Sequence, residues 1–152
     1  MCNRRRNTLV ETVPLCSTSR KRYAWAERAR TAGVPERFAQ EAYFNPECEC
    51  FVTLLLNTRR RVKGHCLISI GTLDTVLVHP RDVFRPAVIA AAAVIVLVHN
   101  HPSGESQPSD ADIRVTRDLV RAGQLLKIEV LDHVIIGRGE YNSLRELGWL
   151  SS

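Results

Sequence analysis

Apolar positions along this chain fall into short runs separated by turn residues, with one longer stretch that repeats at helical spacing. Cys50 to Leu56 is apolar on both parities, which predicts a strand covered on both faces. Asn57 to Arg60 supplies a polar turn, and Arg61 to Ile70 is predicted to return as the second strand of a hairpin. In that strand Val62, Gly64, Cys66, Ile68 and Ile70 share one face, leaving Lys63, His65 and Ser69 on the other, with His65 towards solvent. A further strand is expected over Leu73 to Val78. Pro80 then opens a helix running towards Ala92, in which Pro86 predicts a kink near Phe84. Val94 to Val98 reads as a short buried strand.

From Ser109 to Leu126 the pattern changes period. Ile113, Thr116, Val120, Gly123 and Lys127 fall on one helical face, with Leu119 and Leu126 beside them. Ile128 to Ile136 is the next strand, closed by Gly137 to Gly139. Tyr141 to Leu150 is expected as a short, partly helical tail docked through Trp149. The first 44 residues are poorly patterned, apart from a helix-like stretch from Tyr23 to Ala42 with Trp25, Ala29 and Ala32 on one stripe and Pro35 as a break. This order predicts an α/β fold with a mixed sheet, organised as a partly helical segment over 1–44 and a domain over 45–152.

Composition narrows the class. At 152 residues, 45% hydrophobic and 24% charged, the chain has the makeup of a soluble globular domain. No apolar run approaches the roughly 20 residues that span a bilayer, and the N-terminus has no apolar secretory core, so a cytoplasmic protein without membrane contact is expected. Five cysteines (Cys2, Cys16, Cys48, Cys50 and Cys66) form no framework, and Cys48 and Cys50 are better read as small strand residues than as half a metal site. The formal charge of +5 gathers at Arg4 to Arg6, Arg20 to Arg22 and Arg59 to Lys63. Such clusters suit acidic partners such as nucleic acid, but no aromatic residues interleave with them, so a solvated face is the better reading.

The candidate chemistry lies between Val94 and Asp112. Residues i and i+2 of an extended chain point to the same side, so His99 and His101 can face one ion. Pro102, Ser103, Gly104 and Pro108 reverse the chain, and Ser109 followed by Asp112 fits an N-cap with an acidic N3 residue, aiming Asp112 back at the strand end. Two imidazoles and a carboxylate leave one tetrahedral position open, which distinguishes a catalytic from a structural zinc site. The same triad also holds the iron of non-haem oxygenases, which favour all-β scaffolds.

These residues, as His-x-His-Pro-Ser-Gly followed seven residues later by Asp112, resemble the JAMM signature of the MPN/JAB hydrolases. The phrases HPRDVFR, HNHPSG, PSDADIRVT and LDHVIIG resemble the RadC branch of that family, over about Asn45 to Gly148. The resemblance implies a mixed, curved β-sheet flanked by helices, of the MPN/JAB (cytidine-deaminase-like) type. It also implies a Zn2+ ion on His99, His101 and Asp112, and hydrolysis of an amide bond in a peptide or isopeptide-linked protein substrate. The family's upstream glutamate, in the pattern Glu-x-Phe, falls on Glu49 as proton carrier, with Glu47 the competing carboxylate nearer the Pro46 turn. Ser109 matches the serine that hydrogen-bonds the oxyanion. Asp132 and His133 match an Asp-His pair expected to pack or to orient ligands, and His79 is expected to be structural. A helix-hairpin-helix DNA-binding region, carried by longer relatives, shows no counterpart in the first 44 residues. The RadC link to DNA repair keeps nucleic-acid binding as the alternative function.

Overall fold

The computed structural model describes residues 45–71 and 78–150. The expected helix from Tyr23 to Ala42, nearly all of the strand at 73–78, and the two N-terminal arginine clusters lie outside them. β1 (Glu49–Leu56) and β2 (Val62–Gly71) form a hairpin, followed by α1 (Pro80–Ile89), β3 (Val94–Asn100), α2 (Asp110–Leu126), β4 (Glu129–Ile136) and β5 (Tyr141–Ser143). The five strands make one mixed sheet in the order β2-β1-β3-β4-β5. Among the described strands only β3 and β4 run parallel, joined by α2 as the crossover helix. Among the described residues no helix is long and apolar enough to cross a membrane.

The hairpin turn follows from Asn57, whose Oδ1 accepts from the backbone N–H groups of Arg59 and Arg61. Strand parity then divides the core. Cys50, Val52, Leu54 and Leu56 of β1 pack with Val94, Val96 and Val98 of β3 on one face. On the other, Phe51, Leu55, Ile95 and Leu97 meet Val83, Phe84 and Ala87 of α1 and Leu119 of α2. Burial on both faces explains why β1 and β3 read as continuous apolar runs. It also settles where polar residues of odd parity point. Glu49, Phe51 and His99 face the side on which α2 lies.

Four expectations are corrected. The single apolar face of β2 is broken by register shifts, because Phe51 pairs with Ser69 but Val52 with Leu67, and Leu55 with Gly64 but Leu56 with Val62. Each extra residue is a bulge that reverses parity, so Val62 and Leu67 pack on one core and Ile68 on the other. His65 is half-buried instead of solvent-facing. Helix α1 ends at Ile89, short of Ala92, with Pro86 inside it and buried and Ala91 beyond it at a positive φ of 47°. The tail is anchored by Leu144, fully buried, and not by Trp149, which is 46% exposed beneath the Arg117 guanidinium at 5.7 Å from its ring centroid.

Candidate metal centre

Three elements converge at the end of β3. His99 ends the paired stretch of β1 and β3 opposite Phe51, and the His101 N–H still bonds to Ile136 O at 2.9 Å, so the chain stays extended through both histidines. The following loop turns at Gly104, in the left-handed region at φ 89°, and enters α2 through a capping box. Ser109 Oγ accepts from Asp112 N, and the Asp112 carboxylate accepts from Ser109 N at 2.7 Å and Ser109 Oγ at 2.6 Å. The helix start thus fixes where Asp112 points. Glu49 enters from the first residue of β1.

The result is a cluster of Glu49, His99, His101 and Asp112 whose donor atoms all lie within 4.8 Å of one another. His99 Nε2 stands 2.9 Å from His101 Nε2, 3.2 Å from Asp112 Oδ1 and 3.9 Å from Glu49 Oε1, while His101 Nε2 is 3.4 Å from Asp112 Oδ2. Glu47 is exposed and outside it. Burial works to raise the Asp112 carboxyl, but the polar side chains of His101 and His99 beside it and the hydrogen bonds from Ser109 outweigh it and hold the group well below the usual carboxylate range. Glu49 goes the other way. Burial pushes its carboxyl up and neighbouring Asp112 adds to this, against a smaller pull from the two histidines. His101 is raised chiefly by its hydrogen bond to Asp112.

The donor set fits a divalent metal. His101 Nδ1 lies 2.9 Å from Glu105 O, a carbonyl that can only accept, so Nδ1 keeps its hydrogen and Nε2, facing the cluster, is the nitrogen that would bind a metal on losing its proton. Tetrahedral zinc with Zn–N bonds of about 2.0–2.1 Å would hold two nitrogens about 3.3 Å apart, close to the 2.9 Å between His99 and His101. Glu49, His99, His101 and Asp112 are the side chains that could hold it.

Two supports were not foreseen from the sequence. Asn100, between the histidines and only 3% exposed, accepts from Cys50 N at 2.9 Å and donates to Cys48 O at 3.0 Å. It therefore clamps the backbone on both sides of Glu49. Phe51 stacks on the His99 ring at 5.8 Å and 12° and meets His133 edge-on at 5.5 Å. The Asp-His pair divides its work: His133 Nε2 is 2.8 Å from His99 Nδ1, while the Asp132 carboxylate ties the tail through His133 N, Ser143 Oγ and Arg145 N. His79 precedes α1 as its N-cap, accepting through its backbone carbonyl. The described basic cluster is partly engaged elsewhere, since Arg60 pairs with Glu129 at 3.4 Å and Lys63 Nζ bonds to Ala90 O and Ala91 O.

A family model described as RadC-like JAB domain matches residues 31–149. The chain belongs to the RadC-like JAB family. It is 47% identical over 102 residues to a UPF0758 protein of Methanosarcina acetivorans, covering 67% of this chain and 44% of that protein. A UPF0758 protein of Moorella thermoacetica is 53% identical over 98 residues (64% of this chain, 43% of that protein), and one of Thermosynechococcus vestitus 48% over 99 residues (65% and 40%). The RadC-like chain thus spans less than half the length of these curated relatives. Its mixed sheet flanked by helices agrees with a JAB domain.

Proposed function

We propose that this RadC-like domain is a cytoplasmic, zinc-dependent hydrolase of the JAMM type that cleaves an amide bond in a peptide or isopeptide-linked protein. One observation carries the proposal: a half-buried carboxylate, Glu49, with its affinity for protons raised, lies within 4.8 Å of the donor atoms of His99, His101 and Asp112, which as three ligands would leave one tetrahedral position open. A zinc ion bound there would supply Lewis acidity to a carbonyl oxygen and a water acidified to a pKa of about 7. Glu49 Oε1 takes the proton of the attacking water and delivers it to the departing amine nitrogen, a round trip that its raised pKa favours. Asp112 stays ionised throughout, because hydrogen bonds hold its carboxyl low. Ser109 Oγ donates to Asp112, so stabilising an oxyanion requires its hydroxyl to turn from that carboxylate to the substrate oxygen.

Metal content per chain, by mass spectrometry on protein purified without added metal or chelator, is the first test. About one zinc per chain in the parent, retained in Glu49→Gln and absent in Asp112→Ala, is expected. Peptide and isopeptide panels should then show hydrolysis reduced at least about 100-fold by Glu49→Gln. Iron in place of zinc, or full activity in Glu49→Gln, would overturn the assignment.

A further inference from the structure

His133 is not in the donor cluster but touches it, from a fully buried position on β4. Its Nε2 lies 2.8 Å from His99 Nδ1, and its Nδ1 lies 2.6 Å from Thr116 Oγ1 on α2. Thr116 Oγ1 is in turn 2.6 Å from the backbone carbonyl of Asp112. These contacts admit one arrangement of hydrogens. Two oxygens at that distance need a proton between them, and a carbonyl only accepts, so Thr116 donates to Asp112 O. Having placed its one proton, the Thr116 hydroxyl can only accept from His133, whose Nδ1 therefore carries hydrogen. Among the described residues the ring nitrogens of His133 bond to His99 and Thr116, neither of them anionic, and full burial without a hydrogen-bonded carboxylate keeps the imidazole neutral. Its Nε2 is then a bare acceptor, and His99 Nδ1–H donates to it.

We propose that His133 and Thr116 are positioning residues that lock His99 in the tautomer whose Nε2 lone pair faces the metal position. The inference rests on the metal-site assignment above. The run of hydrogen bonds starts at the side chain of one ligand, His99, and ends on the backbone of another, Asp112, so it ties β3 to α2 through β4. Without it His99 has a competing choice. A hydrogen on Nε2 would bond to Asp112 Oδ1, 3.2 Å away, and close the site with a hydrogen bond. His101 meets the same need with one loop carbonyl, Glu105 O, whereas His99, 1% exposed, uses side chains.

The test uses the full chain, metal-free, with 15N-labelled histidine at mildly alkaline pH. Two-bond 1H–15N correlation spectra should show His99 and His133 both protonated on Nδ1. Zinc affinity, read by competition with a chromogenic chelator, should fall about 10–100-fold in Thr116→Val and stay near the parent's in Thr116→Ser. A purely packing role predicts the reverse order, since valine keeps the volume of threonine and serine leaves a hole. That order would overturn the proposal. Should Thr116→Val not fold, the parent spectra still decide, because a hydrogen on His99 Nε2 refutes the lock. Parent protein with both Nδ1 hydrogens but no zinc affinity would sink the hydrolase assignment and leave the lock standing.

Discussion

Gly137, just past β4, is where the loop that orients His101 presses closest on the sheet. A Cβ built there would run into Gly104 O and meet Ser106 N at 2.8 Å and Glu105 C at 3.1 Å, all backbone atoms. None of these can swing aside as a side-chain tip would. Gly137 is not among the glycines with positive φ, so space alone opposes alanine. In Gly137→Ala the 104–106 segment must therefore move out, stretching the Arg138 N–H bond to Gly104 O (2.7 Å) and the Glu140 bonds to Ser106. Overpacking costs about 1–3 kcal/mol, here towards the upper end, and a lost hydrogen bond about 1 kcal/mol. A total of about 3–4 kcal/mol corresponds to a Tm lower by about 6–16 °C for a domain of this size.

The same displacement carries Glu105 O away from His101 Nδ1, which frees the ring that presents Nε2 to the cluster. Zinc affinity should therefore fall by about tenfold or more along with stability. Thermal unfolding of the metal-free protein and zinc titration read the two effects separately. Gly64→Ala is the control, because Gly64 has open space around its missing Cβ and an ordinary φ, and it should change stability by no more than about 0.5 kcal/mol. A Gly137→Ala protein with parental Tm and parental zinc affinity would refute the reasoning.

Asn100→Ala should leave zinc affinity within a few fold but strip two hydrogen bonds from the backbone around Glu49, costing about 2–4 kcal/mol by urea unfolding; an unchanged urea midpoint would deny the clamp. Because the pKa of metal-free His101 lies above its ordinary value, zinc must displace its proton at and below neutrality. Affinity should then weaken about tenfold per pH unit on acidification below that pKa and level off above it, and a flat profile from pH 5.5 to 8 would contradict this. Leu119→Ala, which empties a site 1% exposed between α2 and the sheet, should cost about 2–5 kcal/mol in urea unfolding.

What the sequence disclosed and what it concealed divide along the range of the interaction. The facing of His99 and His101 and the aim of Asp112 depend on local rules, strand parity and a capping box closed within four residues, so the spacing alone brings them together. The bulges in β2 leave no such mark. Neither Lys63 nor Ile68 is a glycine or proline, and the extra residue shows only in the pairing with β1. Trp149 misled because size suggests burial, whereas the neighbouring Leu144 fills the interior and the indole lies under Arg117 at the surface.

Asn100 was hidden for a related reason. In the sequence it is a spacer between two candidate ligands, and its partners, Cys48 and Cys50, lie about fifty positions upstream. Yet it is the residue that couples the two halves of the site. The His-Asn-His stretch that closes β3 supplies two members of the donor cluster and, through the intervening amide, fixes the strand start that carries Glu49. Paired strands would ordinarily do this with backbone bonds, but the β1–β3 ladder ends at Phe51 and His99, leaving Glu49 past its last rung. A side-chain amide, with one donor and one acceptor in nearly peptide geometry, continues the ladder by one step where the backbone of His101 is already engaged with Ile136. Asn100, a residue that by type alone suggests neither metal binding nor proton transfer, therefore helps fix where Glu49 stands relative to His99 and His101.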